Sequence, residues 1–375
     1  MKGIDCFDVT IIGGGPAGLY SAFYSGLRQM KTKLIEFHPQ LGGKIQVYPE
    51  KMVWDIGGMP PTPGAQVMDQ LIAQGMTFNP EVVLNEKIIS LRKNEEGFFI
   101  LKAASGREHL SKTVIVAVGS GILKPVKLNI EGADRFEISN LHYTVKSLKK
   151  FKNKTVIISG GGNSAVDWAN ELEPIAKKVY VIHRKGELSG HESQVSALLN
   201  SSAECFFHST ISRLEAGEQE DRIHKVEMKN HLTGDVAVID VDEVVINHGF
   251  DQDTSLLQGS DLSIEMVESF YISGNAASET SVPGLFAAGD ILRHDGKVNL
   301  IAGAFQDAAN AVNKAKQYID PNADAFAMVS SHNDVFKEKN GELKKKLVDG
   351  AGAGPAECQF GNPSNCMLAP VKIGK

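Results

Sequence analysis

The apolar positions open with a short continuous run, Val9-Thr10-Ile11-Ile12, which turns through Gly13–Gly18 into a small-residue helical stretch. A second apolar run, Thr32 to Ile35, follows and ends in Glu36. Short continuous apolar runs bounded by glycine predict strands buried on both faces, with the helix between them covering the sheet. The same pattern returns at Thr155–Ile158, Gly160-Gly161-Gly162-Asn163-Ser164-Ala165 and Val179–Ile182, which ends in His183-Arg184-Lys185.

Between the two copies an amphipathic helix is predicted over Ala65–Gly75. The strand-like segments Glu86–Leu91 and Phe98–Lys102 predict a hairpin appended to the sheet. Thr113–Val118 predicts an apolar strand that ends in small residues, Gly119-Ser120-Gly121. A late strand ends at Gly289-Asp290, and a helix-like run, Ala302–Ile319, comes after it. The fold class expected is α/β, with two Rossmann-like dinucleotide-binding domains, the second inserted into the first. The expected pieces are 1–119 and 251–350 for the first domain, 120–250 for the second, and 351–375 for a flexible or foreign tail. Both crossings, near Gly119–Leu123 and Asn247–Asp251, contain glycine, so hinge motion fits them.

The glycine spacing carries the chemistry. Gly13 permits the tight strand-to-helix turn, Gly15 lets backbone approach a pyrophosphate, and Gly18 lets helix and strand pack closely. Pro16 and Ala17 open the helix, whose N-terminal N–H groups face the phosphates. Glu36 stands 18 residues past Gly18, where a carboxylate accepts ribose hydroxyls. In the second copy Gly160, Gly162, Asn163 and Ser164 form the turn, and His183, Arg184 and Lys185 occupy the ribose end. A 2′-phosphate is repelled by Glu36 and attracted by Arg184 and Lys185, so FAD is expected on the first turn and NADPH on the second. A solvated strand end also accounts for Arg184-Lys185. Asp290 can hydrogen-bond the ribityl and phosphate region of a flavin, or simply form an Asx turn.

Composition narrows the classes. With 42% apolar and 22% charged residues the chain is an ordinary globular protein, and a net charge of −6 argues against nucleic acid or an anionic membrane as partner. No apolar run nears the ~20 residues of a membrane span, and no N-terminal signal is visible, so a cytoplasmic protein is expected. Cys6, Cys205, Cys358 and Cys366 form no C-x-x-C and no zinc-spaced cluster, so neither dithiol nor metal chemistry is expected.

The set GGGPAG with Glu36, LGGK, GGGNSA with HRK, and GLFAAGD resembles the two-domain flavoproteins of the thioredoxin reductase type over about residues 5–350. Where that type carries its C-x-x-C, this chain reads Ile138–Val145 with no cysteine, which removes thioredoxin reduction. With YPEK (Tyr48–Lys51), DIGG (Asp55–Gly58) and LHYTV (Leu141–Val145) it resembles the thioredoxin reductase-like ferredoxin/flavodoxin–NADP⁺ reductases. The resemblance implies electron transfer between NADPH and a ferredoxin or flavodoxin, by hydride transfer to flavin N5 and then single-electron steps, in a homodimer. No acid–base residue is required.

The resemblance implies that Tyr48 stacks on the flavin, though a core aromatic fits it too. It adds Lys44, Ile88 and Leu123 to the FAD set, and Ser331 from a C-terminal segment, Ala325–Phe336, that covers the flavin. His332 beside it also reads as a surface residue. An acidic carrier calls for a basic docking face. Lys146, Lys149, Lys150, Lys152 and Lys154 form the densest cationic run, which a solvated face explains equally well; Lys344-Lys345-Lys346 is a weaker candidate. Rival readings are an NADPH oxidase or quinone reductase, a disulfide reductase with its dithiol elsewhere, and a non-catalytic flavin-binding redox module.

Overall fold

The computed structural model describes residues 5–121, 124–218, 220–251 and 253–348. Residues up to Ala325 form one unit, and those from Phe326 form another, which holds the helix Lys337–Val348. The tail from 351 and its Cys358 and Cys366 lie outside the described residues.

The first sheet runs Glu81–Val83, Thr32–Ile35, Cys6–Ile12, Glu108–Val116, Phe99–Ala103, Ile88–Lys93, with Leu285–Ala287 added on Glu108–Val116. Glu108–Val116 serves two neighbours along one edge. Its first half pairs antiparallel with Phe99–Ala103, and its second half takes Leu285–Ala287 in parallel. That division joins a segment near residue 286 to strands from the first 120 residues. The hairpin is present, although its first strand starts at Ile88 rather than Glu86. Val9 and Ile11 are fully buried, and each such side chain contributes about 1.5–3 kcal/mol of transfer free energy. Lys33, buried in the all-buried strand Thr32–Ile35, is compensated by Glu81 at 3.0 Å and by the Phe7 ring at 4.2 Å.

The second sheet is wholly parallel, in the order Leu141–His142, Glu243–Ile246, Thr155–Ser159, Lys178–Ile182, Glu204–Phe206. A three-stranded antiparallel sheet, Ser209–Ala216, Ile223–Asn230 and Val236–Asp240, packs Ile211, Leu214, Val226 and Met228 onto its core. The two crossings between the sheets lie side by side: Lys124–Pro125 pairs antiparallel with Phe250–Asp251. The long helix Ile301–Ile319 lies against Pro16–Leu27, its alanine face (Ala304, Ala308, Ala311, Ala315) buried.

Candidate functional site

At the first turn Gly13 sits at φ +109°, and a Cβ there would overlap the carbonyl oxygen of Ala117, just past the end of the parallel neighbouring strand Glu108–Val116. A Cβ on Gly18 would overlap the Gly13 carbonyl, so the helix Pro16–Leu27 can approach the strand only with glycine there. Pro16 occupies the first helical position, where its missing N–H costs nothing. Glu36 is buried, and its two oxygens accept the Gly14 N–H at 2.6 Å and the His38 N–H at 2.8 Å. The carboxylate expected at the ribose position therefore fastens the turn.

The second turn repeats the first atom for atom at its tightest point. Gly160 sits at φ +149°, and its Cβ would overlap the Asn247 carbonyl, as Gly13 does that of Ala117. Ala165 replaces the close-packing glycine and is buried. Nothing lies within 4 Å of a Cβ built on Gly162, which leaves an open cradle at the helix N-terminus. The Asn163 side chain accepts the His191 N–H at 2.9 Å, and Gly161 packs on the His183 ring. Burial holds the His183 imidazole below its usual range. Arg184 and Lys185 are exposed and enter no ion pair among the described residues.

Both turns open onto a single cavity of about 580 Å³. Of the residues singled out for FAD, Gly13, Gly15, Pro16, Ala17, Glu36, Lys44, Tyr48, Ile88 and Asp290 line it. Gly18 does not, because it is spent on packing. Asn163 and Ser164 line it from the second turn, while Gly160, Gly162, His183, Arg184 and Lys185 stand away from it. Leu123 lies outside the described residues. Ser331 belongs to the second unit, bonded to His332 Nδ1 at 3.1 Å.

Tyr48 is half-buried. Burial, reinforced by Asp290 and Asp55, pushes its phenol up to about 12, so it is an uncharged group throughout the neutral range. Asp290 has no side-chain partner among the described residues, and the preceding N–H, of Gly289, is held by buried Asp307 at 3.0 Å. Asp307 is paired with buried Lys297, with His294 Nε2 3.7 Å away.

Asn247 was not among the residues singled out for binding. It lines the cavity, and its buried Oδ1 has no hydrogen-bond partner among the described residues, which makes it a candidate acceptor. Its signal was its place, following the second module's Glu243–Ile246 as Ala117 follows Glu108–Val116. Lys51, Asp167 and Trp168 line the cavity as well.

An open glycine cradle, an unpartnered buried amide and a cavity reaching both helix N-termini fit two dinucleotides. Cys6 and Cys205, the free cysteines among the described residues, stand on different sheets, and no His/Cys/Asp/Glu group there could hold a metal ion. None of the described helices is long and apolar enough to cross a membrane.

Residues 7–315 match the pyridine nucleotide-disulphide oxidoreductase family. The chain is 67% identical over 348 residues to ferredoxin–NADP reductase 1 of Bacillus cereus, covering 93% of this chain and 100% of that one. It is 63% identical over 349 residues to ferredoxin–NADP reductase 2 of Exiguobacterium sibiricum, covering 93% and 99%. Among solved structures it is similar in fold to T. acidophilum thioredoxin reductase, with a TM-score of 0.69 at 23% identity over 85% of this chain and 99% of that one. With the paired glycine turns, the shared cavity and these relatives together, the chain belongs to the pyridine nucleotide-disulphide oxidoreductase family, among its thioredoxin reductase-like ferredoxin–NADP reductases.

Proposed function

We propose that this chain holds FAD on its first glycine turn and NADPH on its second, and moves electrons between NADPH and a ferredoxin. Residues 1–119 and 251–350 are the FAD part and 120–250 the NADPH part. The observation that carries the reading is one cavity reached by both turns, lined by the Glu36 carboxylate on the first side, while exposed Arg184 and Lys185 follow the second module's strand outside it. When bound, FAD supplies hydride acceptance at N5 and release of single electrons.

The side chains bind and orient. Glu36 keeps lone pairs for ribose hydroxyls beyond those given to Gly14 and His38. First-turn N–H groups after Pro16 lack helical partners and face a pyrophosphate. Asp290 accepts from the ribityl chain, and Asn247 Oδ1 takes a donor from one of the coenzymes. Tyr48 lies over the ring as a neutral phenol. Lys44 and Ile88 complete the pocket wall, and Leu123 and Ser331 are assigned by the resemblance alone. Arg184 and Lys185 grip the 2′-phosphate, while His183, Gly160 and Gly162 shape the turn.

A flavodoxin is a second carrier of the same chemistry, and a cytoplasmic homodimer is the form expected. Exposed Lys146, Lys149, Lys150 and Lys152 offer an acidic carrier a docking face. The test is cytochrome c reduction by NADPH with and without added ferredoxin. Acceleration by ferredoxin is expected; equal rates would favour a small acceptor such as a quinone.

A further inference from the structure

Three residues of the segment Tyr48–Lys51 touch the nested module. The Tyr48 ring packs against the apolar cores of both modules. Glu50 accepts the Leu148 N–H at 2.6 Å. The Lys51 ammonium lies 3.4 Å from Asp167, 3.3 Å from Glu171 and 4.4 Å from the Trp168 ring centroid. Asp167 and Glu171 stand one turn apart on one face of the helix Asn163–Leu172. That helix begins at the second glycine turn, so whatever grips its face also fixes the turn. The Lys51 side chain is only 20% exposed, and no other described cation pairs with either acid. Its backbone is anchored too, since the Lys51 carbonyl accepts the Gly64 N–H at 2.9 Å.

We propose that Lys51 is a positioning residue for the reaction, holding the nested module so that its glycine turn faces the flavin-side cavity. The proposal rests on the two-coenzyme reading above. Lys51 acts through Asp167, Trp168 and Glu171 rather than on a coenzyme. A single ammonium shared by two carboxylates and an aromatic face is a stronger grip than one exposed pair, and it weakens with salt. Because Tyr48 sits three residues earlier in the same segment, displacement of the nested module is felt by the residue that covers the flavin.

The test uses the FAD-loaded protein as wild type, Lys51→Ala, Lys51→Arg and the pair Asp167→Asn with Glu171→Gln. Three quantities are read: the limiting rate of anaerobic flavin reduction at saturating NADPH, the Kd for NADP⁺, and a spin-label distance between the exposed turn positions Glu96 and Thr233 in the same FAD-loaded protein before NADPH is added. Loss of the grip is worth roughly a three- to tenfold drop in limiting rate. Lys51→Ala and the double acid variant are both expected to show it, with NADP⁺ Kd changed by less than about twofold and a broadened label distance. Lys51→Arg restores rate and distance. Unchanged rate and distance in Lys51→Ala overturn the proposal, as does a rate loss matched by an equal loss of NADP⁺ affinity, which would put Lys51 on the coenzyme. A wild-type protein that NADPH does not reduce would instead sink the two-coenzyme reading.

Discussion

Glu36 fastens the first turn and, on the proposed reading, also holds the FAD ribose; one substitution separates the two tasks. In Glu36→Gln one amide oxygen can still accept the Gly14 or the His38 N–H, but the amide NH₂ must face the other. A buried N–H left unpaired costs about 1–3 kcal/mol, and the lost acceptor was charged, so about 2 kcal/mol is expected. A kcal/mol moves the midpoint of a 150–250-residue domain by roughly 2–4 °C, and less in a longer one, so the FAD-free variant should melt about 4 °C lower. Calorimetry on FAD-free wild type and variant measures this, and a fluorescence titration gives the accompanying loss of FAD affinity. If FAD affinity falls while the FAD-free proteins melt within about 1 °C of each other, Glu36 reads ribose only and its hydrogen bonds to the turn are without weight.

Three further outcomes are expected. Arg184→Ala should raise KM for NADPH roughly tenfold and leave NADH unchanged, since only the former carries the 2′-phosphate; steady-state kinetics with both coenzymes checks it. Asp307→Asn leaves Lys297 buried without its carboxylate, so about 3 kcal/mol of stability should be lost, read by urea unfolding with FAD retention measured alongside. Tyr48 has a folded-state pKa raised from the ordinary 10 to about 12, so it keeps its proton longer in the folded protein. Its share of stability is complete below pH 10 and is lost as pH rises towards 12; that decline should be shallower in Tyr48→Phe.

The glycine turns were legible because their requirements are local. A strand, a left-handed or crowded glycine and a helix start within a few residues fix the geometry, and the acid or cation at the next strand end follows from spacing. What the sequence hid is what depends on distant chain. Asn247 is a ligand candidate only because its strand pairs beside Thr155–Ser159, and Lys51 matters only because it meets a helix 116 residues on. The strand Val236–Asp240 escaped for another reason: Val236 and Val238 are more than half exposed, so its alternation marks no buried face. His183 stands at the same strand end as Arg184 and Lys185, yet it is buried against Gly161, and that burial lowers its imidazole below the usual range. Gly18 and Ala165 show the reverse case, where the sequence difference at one repeat position reports how closely each helix approaches its strand.

The central claim is that two coenzymes of opposite ribose preference meet in one cavity. Diffraction from crystals grown with FAD and NADP⁺ tests it most directly. FAD ribose hydroxyls are expected on Glu36 and the NADP⁺ 2′-phosphate on Arg184 and Lys185. Adenosine halves found the other way round, or a 2′-phosphate that touches neither cation, would contradict it.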